Sequence, residues 1–147
     1  SGASLAAVLG DRATVANYTS IAAALKQAIN MELWDDATGA FKDNPTSNLH
    51  PQDGNSLACW FNVTTATRCS SAMAVQKKNW NAFGSQTPEW RGIGTFPGSM
   101  EVHARFANGD ADSALDLIRL MWGYMLDKPE STGSSFWEGY NADGSFA

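Results

Sequence analysis

One glutamate, Glu138, stands in the run Ser134-Ser135-Phe136-Trp137-Glu138-Gly139-Tyr140. Bulky aromatics beside it are expected to shield it partly from water, a setting that suits proton transfer. The alternative is a surface glutamate whose neighbours pack elsewhere. Glu101 is a second candidate, either a ligand-facing carboxylate or an acid favoured by the dipole at the start of its helix. Asp53, in Pro51-Gln52-Asp53-Gly54-Asn55, most simply caps the helix that follows. Asp35 and Asp36 read as solvated turn residues. Trp90, between Glu89 and Arg91, is either a platform for an apolar ring face or a packed loop anchor. There is no Gly-rich phosphate loop, no HExxH and no GxSxG. His50 and His103 lie too far apart in sequence to suggest a metal pair, and His103 reads as a packed or hydrogen-bonded helix residue. No metal or organic cofactor is called for.

The composition narrows the partners. The 147 residues are 44% hydrophobic and 17% charged, which excludes intrinsic disorder and fits one domain spanning 1–147. A net charge of −5, with Lys77-Lys78 as the densest basic spot, argues against nucleic acid. No apolar run approaches the roughly 18 residues of a membrane span. Six Trp, seven Phe and three Tyr fill a core and leave some rings for a carbohydrate platform. Cys59 and Cys69 are too few for a zinc site and flank a turn, as a disulfide or as two buried thiols. Asn17-Tyr18-Thr19 and Asn62-Val63-Thr64 are possible N-glycan acceptors; with the even cysteine count and acidic balance they favour an extracellular protein. The start at Ser1 lacks the pattern of a signal peptide, so the expectation is a trimmed chain or a piece of something larger.

These residues must be held by helices, because helical spacing recurs and strand alternation does not. The spacing predicts helices over about 14–33, from 55 or 56 onward, 66–83, 97–108 and 110–126. The last is ended by Pro129. Such antiparallel hairpins have alternating short and long connections. The long ones, 43–55, 85–98 and 130–147, should gather at one end and build one site. The expected fold class is all-α.

The segments His50–Ala58, Gly98-Ser99-Met100-Glu101-Val102-His103, Ala114–Arg119 and Trp122-Gly123-Tyr124-Met125-Leu126, followed by Thr132-Gly133-Ser134-Ser135-Phe136-Trp137-Glu138, carry a resemblance. Together they resemble the catalytic domain of fungal α-L-rhamnosidase-like glycoside hydrolases, glycoside hydrolase family 78, over its C-terminal half. The resemblance implies an (α/α)6 toroid and inverting hydrolysis of terminal α-L-rhamnosides. It implies Glu138 as general base, with Trp137 and Trp90 shaping the sugar pocket and Glu101 or Asp53 binding sugar hydroxyls. Inversion needs a second carboxylic acid roughly 6.5–9.5 Å away, and the resemblance places that acid upstream of the matched segments. Twelve helices with their connections need roughly 200 residues, so the expectation is half a toroid that pairs with its other half or with a second copy. The competing expectation is a non-catalytic carbohydrate-binding or interaction module derived from such an enzyme.

Overall fold

The computed structural model describes residues 2–129 and 135–146. Its helices are α1 (Gly2–Val8), α2 (Arg12–Glu32), α3 (Gln52–Trp60), α4 (Ala66–Lys77), α5 (Thr95–Ala107), α6 (Ala111–Ile118) and α7 (Tyr124–Asp127). A π-helical turn, Arg119–Gly123, joins α6 to α7 without a break. Among the described residues, three two-stranded antiparallel ribbons lie outside the helices: β1 (Trp34–Asp35) with β2 (Ala40–Phe41), β3 (Trp80–Asn81) with β4 (Gly84–Ser85), and β5 (Gly92–Gly94) with β6 (Gly139–Asn141). The fold is therefore helix-rich with small ribbons, which corrects the strictly all-α expectation.

Local chemistry sets these boundaries. Asp11 caps α2 by accepting the Thr14 N–H at 3.0 Å, and Asp110 caps α6 through Ser113 N–H. Gly109, at φ 79°, turns the chain between α5 and α6 in a conformation that side chains disfavour. The helix expected over 66–83 stops at Lys77. Asn81 Oδ1 instead accepts the N–H groups of Phe83 and Gly84, folding Trp80–Ser85 into a hairpin. α3 starts at Gln52, earlier than expected, and α1 was not expected at all. Pro51, not Asp53, occupies the capping position of α3; Asp53 is exposed in the first turn and accepts the adjacent Gly54 N–H at 2.6 Å.

Two apolar clusters form the core. The larger joins Ile93, Val102, Leu117, Met121, Met125 and Tyr140, with Trp80, Phe83 and Trp137 packed against it. Met121 fits over Gly84 and Gly98, where a β-carbon at either position would collide with its side chain. The smaller joins Ala40, Cys59, Cys69, Ala72, Met73 and Ala104. Cys59 and Cys69 are disulfide-bonded, Cα to Cα 5.3 Å, which pins α3 to α4 and resolves the choice between bridge and thiols. By contrast α2 buries none of its residues and exposes Tyr18, Ile21, Leu25 and Met31.

Candidate functional site

The long connections do converge. Pairing of β5 with β6 sets Gly94 opposite Gly139, Ile93 opposite Tyr140 and Gly92 opposite Asn141, joining the second long connection to the third. The first connection joins them where Gln52, at its junction with α3, bonds Ser85 and Thr87. Glu138 immediately precedes β6. Its backbone is held by Thr95 in the first turn of α5, whose N–H donates to the Glu138 carbonyl at 3.1 Å. The Thr95 hydroxyl lies 2.9 Å from the carbonyls of both Trp137 and Glu138. The Glu138 side chain is exposed, and its carboxylate has no hydrogen bond or ion pair among the described residues. The expected shielding by neighbouring aromatics is thus absent, because Trp137 turns away from it into the core.

Trp90 stands on the same side. Thr87 O accepts the N–H groups of Trp90 and Arg91, at 3.2 and 2.7 Å, and Thr87 N–H donates to Gly92 O at 2.8 Å. This tight turn is closed by Arg91 at φ 62° and by Gln86 Nε2 donating to Arg91 O. The Trp90 indole lies along Gly92 and Gly139: a β-carbon on Gly139 would stand 2.6 Å from Cη2 of that ring. Trp90 is 51% exposed. It lines an open cleft of about 470 Å³ together with Thr87, Gly94, Phe96, Pro97 and Glu138. Glu138 is the cleft's one carboxylate among the described residues.

The other candidates lie elsewhere. Trp137 is half-buried, edge-on to Tyr140 at 5.6 Å and to Tyr124 at 6.1 Å, so it supports the core and does not wall the cleft. Glu101 is fully buried. Its Oε1 accepts from Trp80 Nε1 (2.9 Å) and from Arg105 Nε (3.0 Å) and Nη2 (2.6 Å). Its Oε2 accepts from Gln52 Nε2 (2.8 Å) and Ser85 Oγ (2.7 Å). Five donors on a carboxylate with no exposure leave it no approach to a sugar hydroxyl. Asp53 lines a separate apolar pocket of about 290 Å³ between α2 and α3, with Asp43, Leu33, Phe41 and Leu57. The Thr132-Gly133-Ser134 part of the sequence motif lies outside the described residues.

Sequence reasoning passed over several residues here. Glu89, beside Trp90, has its carboxyl held above the ordinary range by burial, with the charges of Asp53 and Asp43 adding to it. Gln52, Asn55, Ser56 and Cys59 share the buried face of α3 at helical spacing, so three polar side chains occupy core positions. That polar i, i+3, i+4 pattern is the signal which apolar periodicity cannot pick up. His50 Nε2 lies 2.9 Å from Asp35 Oδ2, within hydrogen-bond distance. The Thr38 hydroxyl above all, then His50 and the Ala37 and Thr38 N–H groups, hold Asp35 down to about 2. His103 stacks on Trp60 with ring centroids 4.3 Å apart, the packed role expected of it.

Residues 3–89 match the family model of the mannosylglycerate hydrolase MGH1-like glycoside hydrolase domain, and the chain belongs to that family. No curated protein matches it. The matched span contains Asp53 and ends one residue short of Trp90; Glu138 lies beyond it.

Proposed function

We propose that this glycoside hydrolase-family chain hydrolyses terminal α-L-rhamnosides with inversion, Glu138 activating the water that attacks the anomeric carbon. The observation that carries the reading is the cleft whose lining joins an uncommitted carboxylate to an exposed indole packed along a glycine ribbon. Trp90 and Phe96 offer flat apolar faces to the C–H side of a pyranose. Glu138 stands beside them with its backbone clamped by Thr95, so that positioning is paid before substrate arrives. The carboxylate's access to water is what a general base acting through water requires.

The leaving-group acid comes from outside the cleft's described residues, from the remaining hairpins of an (α/α)6 toroid. This chain supplies about half of that toroid. The unpartnered faces support the arrangement: Ile21 and Leu25 on α2, and Phe61, Phe96 and Phe106 around α3 and α5, are exposed. They would be covered by those hairpins or by a second copy. The protein is secreted: a formed disulfide fits an oxidising compartment, and Asn17 and Asn62 are exposed acceptors for N-glycans. No helix among the described residues is long and apolar enough to cross a membrane.

In the full-length protein, Glu138→Gln is expected to lower kcat on an aryl α-L-rhamnoside about 10²- to 10⁴-fold, while the folded state persists by circular dichroism. Near-normal turnover removes Glu138 from the mechanism. Assays of aryl α-mannosides and of mannosylglycerate test the substrate class against the family's eponym. One observation favours a second reading: with a single described carboxylate in the cleft, this chain alone would bind carbohydrate without cleaving it. Native mass spectrometry separates the two. A companion polypeptide in the complex supports the split enzyme, and a lone chain that binds rhamnose without turnover supports the module.

A further inference from the structure

The buried network around Glu101 ends at the floor of the cleft, and its donors and acceptors can be followed in sequence. An ionised carboxylate only accepts hydrogen bonds. Glu101, ion-paired with Arg105 at 2.6 Å, therefore requires the nitrogen of the Gln52 amide, not its oxygen, to face it. That fixes the amide: Nε2 points to Glu101 and Ser85, and Oε1 points the other way, to Thr87. A flipped Gln52 would set its carbonyl against a carboxylate that offers no proton. The Thr87 hydroxyl, 3.0 Å from Oε1, must then be the donor of that bond. Its one proton is committed, and only its lone pairs remain.

The residue that carries those lone pairs borders the cleft. Thr87 lines the cleft beside Trp90 and Glu138 and is 8% exposed. Next to it stands Gly94, whose absent β-carbon would lie 3.4 Å from Thr87 Oγ1. A β-carbon there would press on Pro97 Cδ, at 3.1 Å, before it crowded the oxygen. The backbone of Thr87 is fixed as well, since its N–H and its carbonyl form the turn that carries Trp90.

We propose that Thr87 is a specificity-determining residue that accepts a hydrogen bond from one hydroxyl of the bound glycoside, its polarity set by Glu101 through Gln52. The inference rests on the carbohydrate reading of the cleft and adds a direction to it. At this point the site takes a hydroxyl that donates. A group that can only accept, such as fluorine or a ring oxygen, meets two lone pairs and is rejected. Thr87 and Trp90 would thus read one sugar from two sides, the hydroxyl edge and the C–H face.

The test uses methyl α-L-rhamnoside and its monodeoxy and monofluoro analogues at positions 2, 3 and 4. Binding is followed through the indole N–H resonance of Trp90, identified by its loss in Trp90→Phe. On the wild-type chain, one position should lose about 3- to 10-fold in affinity on deoxygenation, the worth of one neutral hydrogen bond. Fluorine at that position should restore none of it. In Thr87→Val the penalty at that position should vanish, and in Thr87→Ser it should return. Glu138 is the other acceptor side chain among the cleft's described residues, so the series is repeated in Glu138→Ala, where the penalty should persist. The Trp80 resonance, bonded to Glu101, reports whether the network survives each substitution; if Thr87→Val disturbs it, Thr87→Ala takes its place. Equal penalties in the valine and wild-type chains overturn the proposal, as does fluorine restoring affinity at every position. If no glycoside moves the Trp90 resonance of the wild-type chain, the carbohydrate reading itself fails and the assignment of Thr87 falls with it.

Discussion

Glu101 and Glu138 are both reached through α5, yet they are built in opposite ways. Glu101, in the second turn, is sealed from water and takes five hydrogen bonds. Glu138 is tied to the first turn by its carbonyl alone, and its carboxylate is open. The two carboxylates differ in how far the fold has committed them. A carboxylate saturated with donors organises the elements around it, here α3, α5 and the β3–β4 ribbon. Under the proposed hydrolysis Glu138 would accept and release a proton, a task that a carboxylate saturated in advance could not perform. The fold anchors the backbone beneath it and leaves the side chain uncommitted.

Glu101→Gln is the strongest way to break this contrast. It removes the buried one of Arg105's two carboxylate partners, leaving Asp110 at 2.9 Å, and should cost about 3 kcal/mol by urea unfolding. A loss below 1 kcal/mol would reduce Glu101 to an ordinary polar residue. Replacing Cys59 and Cys69 by serine removes the bridge that supports the same region from the α4 side. For a loop of this length the expected loss is about 2–3 kcal/mol, read as a lower urea midpoint that matches the reduced wild-type chain. Gly139→Ala acts on the open site instead. The new methyl would press on the Trp90 ring and on Ile93 O, 3.0 Å away, for about 1–3 kcal/mol. Acrylamide quenching should show Trp90 displaced while the Trp80 environment stays unchanged.

The smallest effect is expected at Asp35, a third carboxylate between the two extremes. Its folded-state value of about 2 lies below its ordinary 3.8, so it contributes stability above that ordinary value. The contribution fades as pH falls from about 4 towards 2. Asp35→Asn should flatten the stability profile in that window. An identical acid profile in the two proteins would deny the Thr38 and His50 bonds any energetic role.

Where a boundary rests on one residue's own chemistry, it could be read in advance. Gly109 and the choice of Asp110 or Asp112 as cap mark the α5–α6 turn, and Asp110 proves to be the cap. Of the apolar stripe legible as Leu117, Ile118, Met121, Trp122 and Met125, the structure buries Leu117, Met121 and Met125, from α6 through the π-helical turn into α7, and exposes Ile118. Where a boundary depends on partners distant in sequence, it could not. Trp80 and Phe83 continue the apolar spacing of α4, but the Asn81 side chain and the Trp80 bond to Glu101 pull them into a hairpin. α3 hides its first turn because its buried face is polar, a choice that makes sense only once Glu101 and Phe41 are there to satisfy Gln52 and Asn55. In the site, Glu138 and Trp90 stood out as types, but their meeting depends on a ribbon of Gly92-Ile93-Gly94 and Gly139-Tyr140-Asn141 that carries no alternating pattern. Trp137, beside Glu138 in sequence, faces away for the same reason: successive residues entering a strand point to opposite sides.

The π-helical turn at Arg119–Gly123 sets a constraint on chain length. Such a turn is an α-helix holding one surplus residue, and everything after it is phased by that surplus. Removing one residue there would let the helix close normally and swing Tyr124–Asp127 by about 100°. Tyr124 would then leave the Gly144 carbonyl that its hydroxyl meets at 2.6 Å, and the Phe83 ring beside it. The segment that leads back from Glu138 would lose its lateral support. A relative one residue shorter at this point would therefore signal a differently seated closing loop, even if every side chain in the cleft were the same.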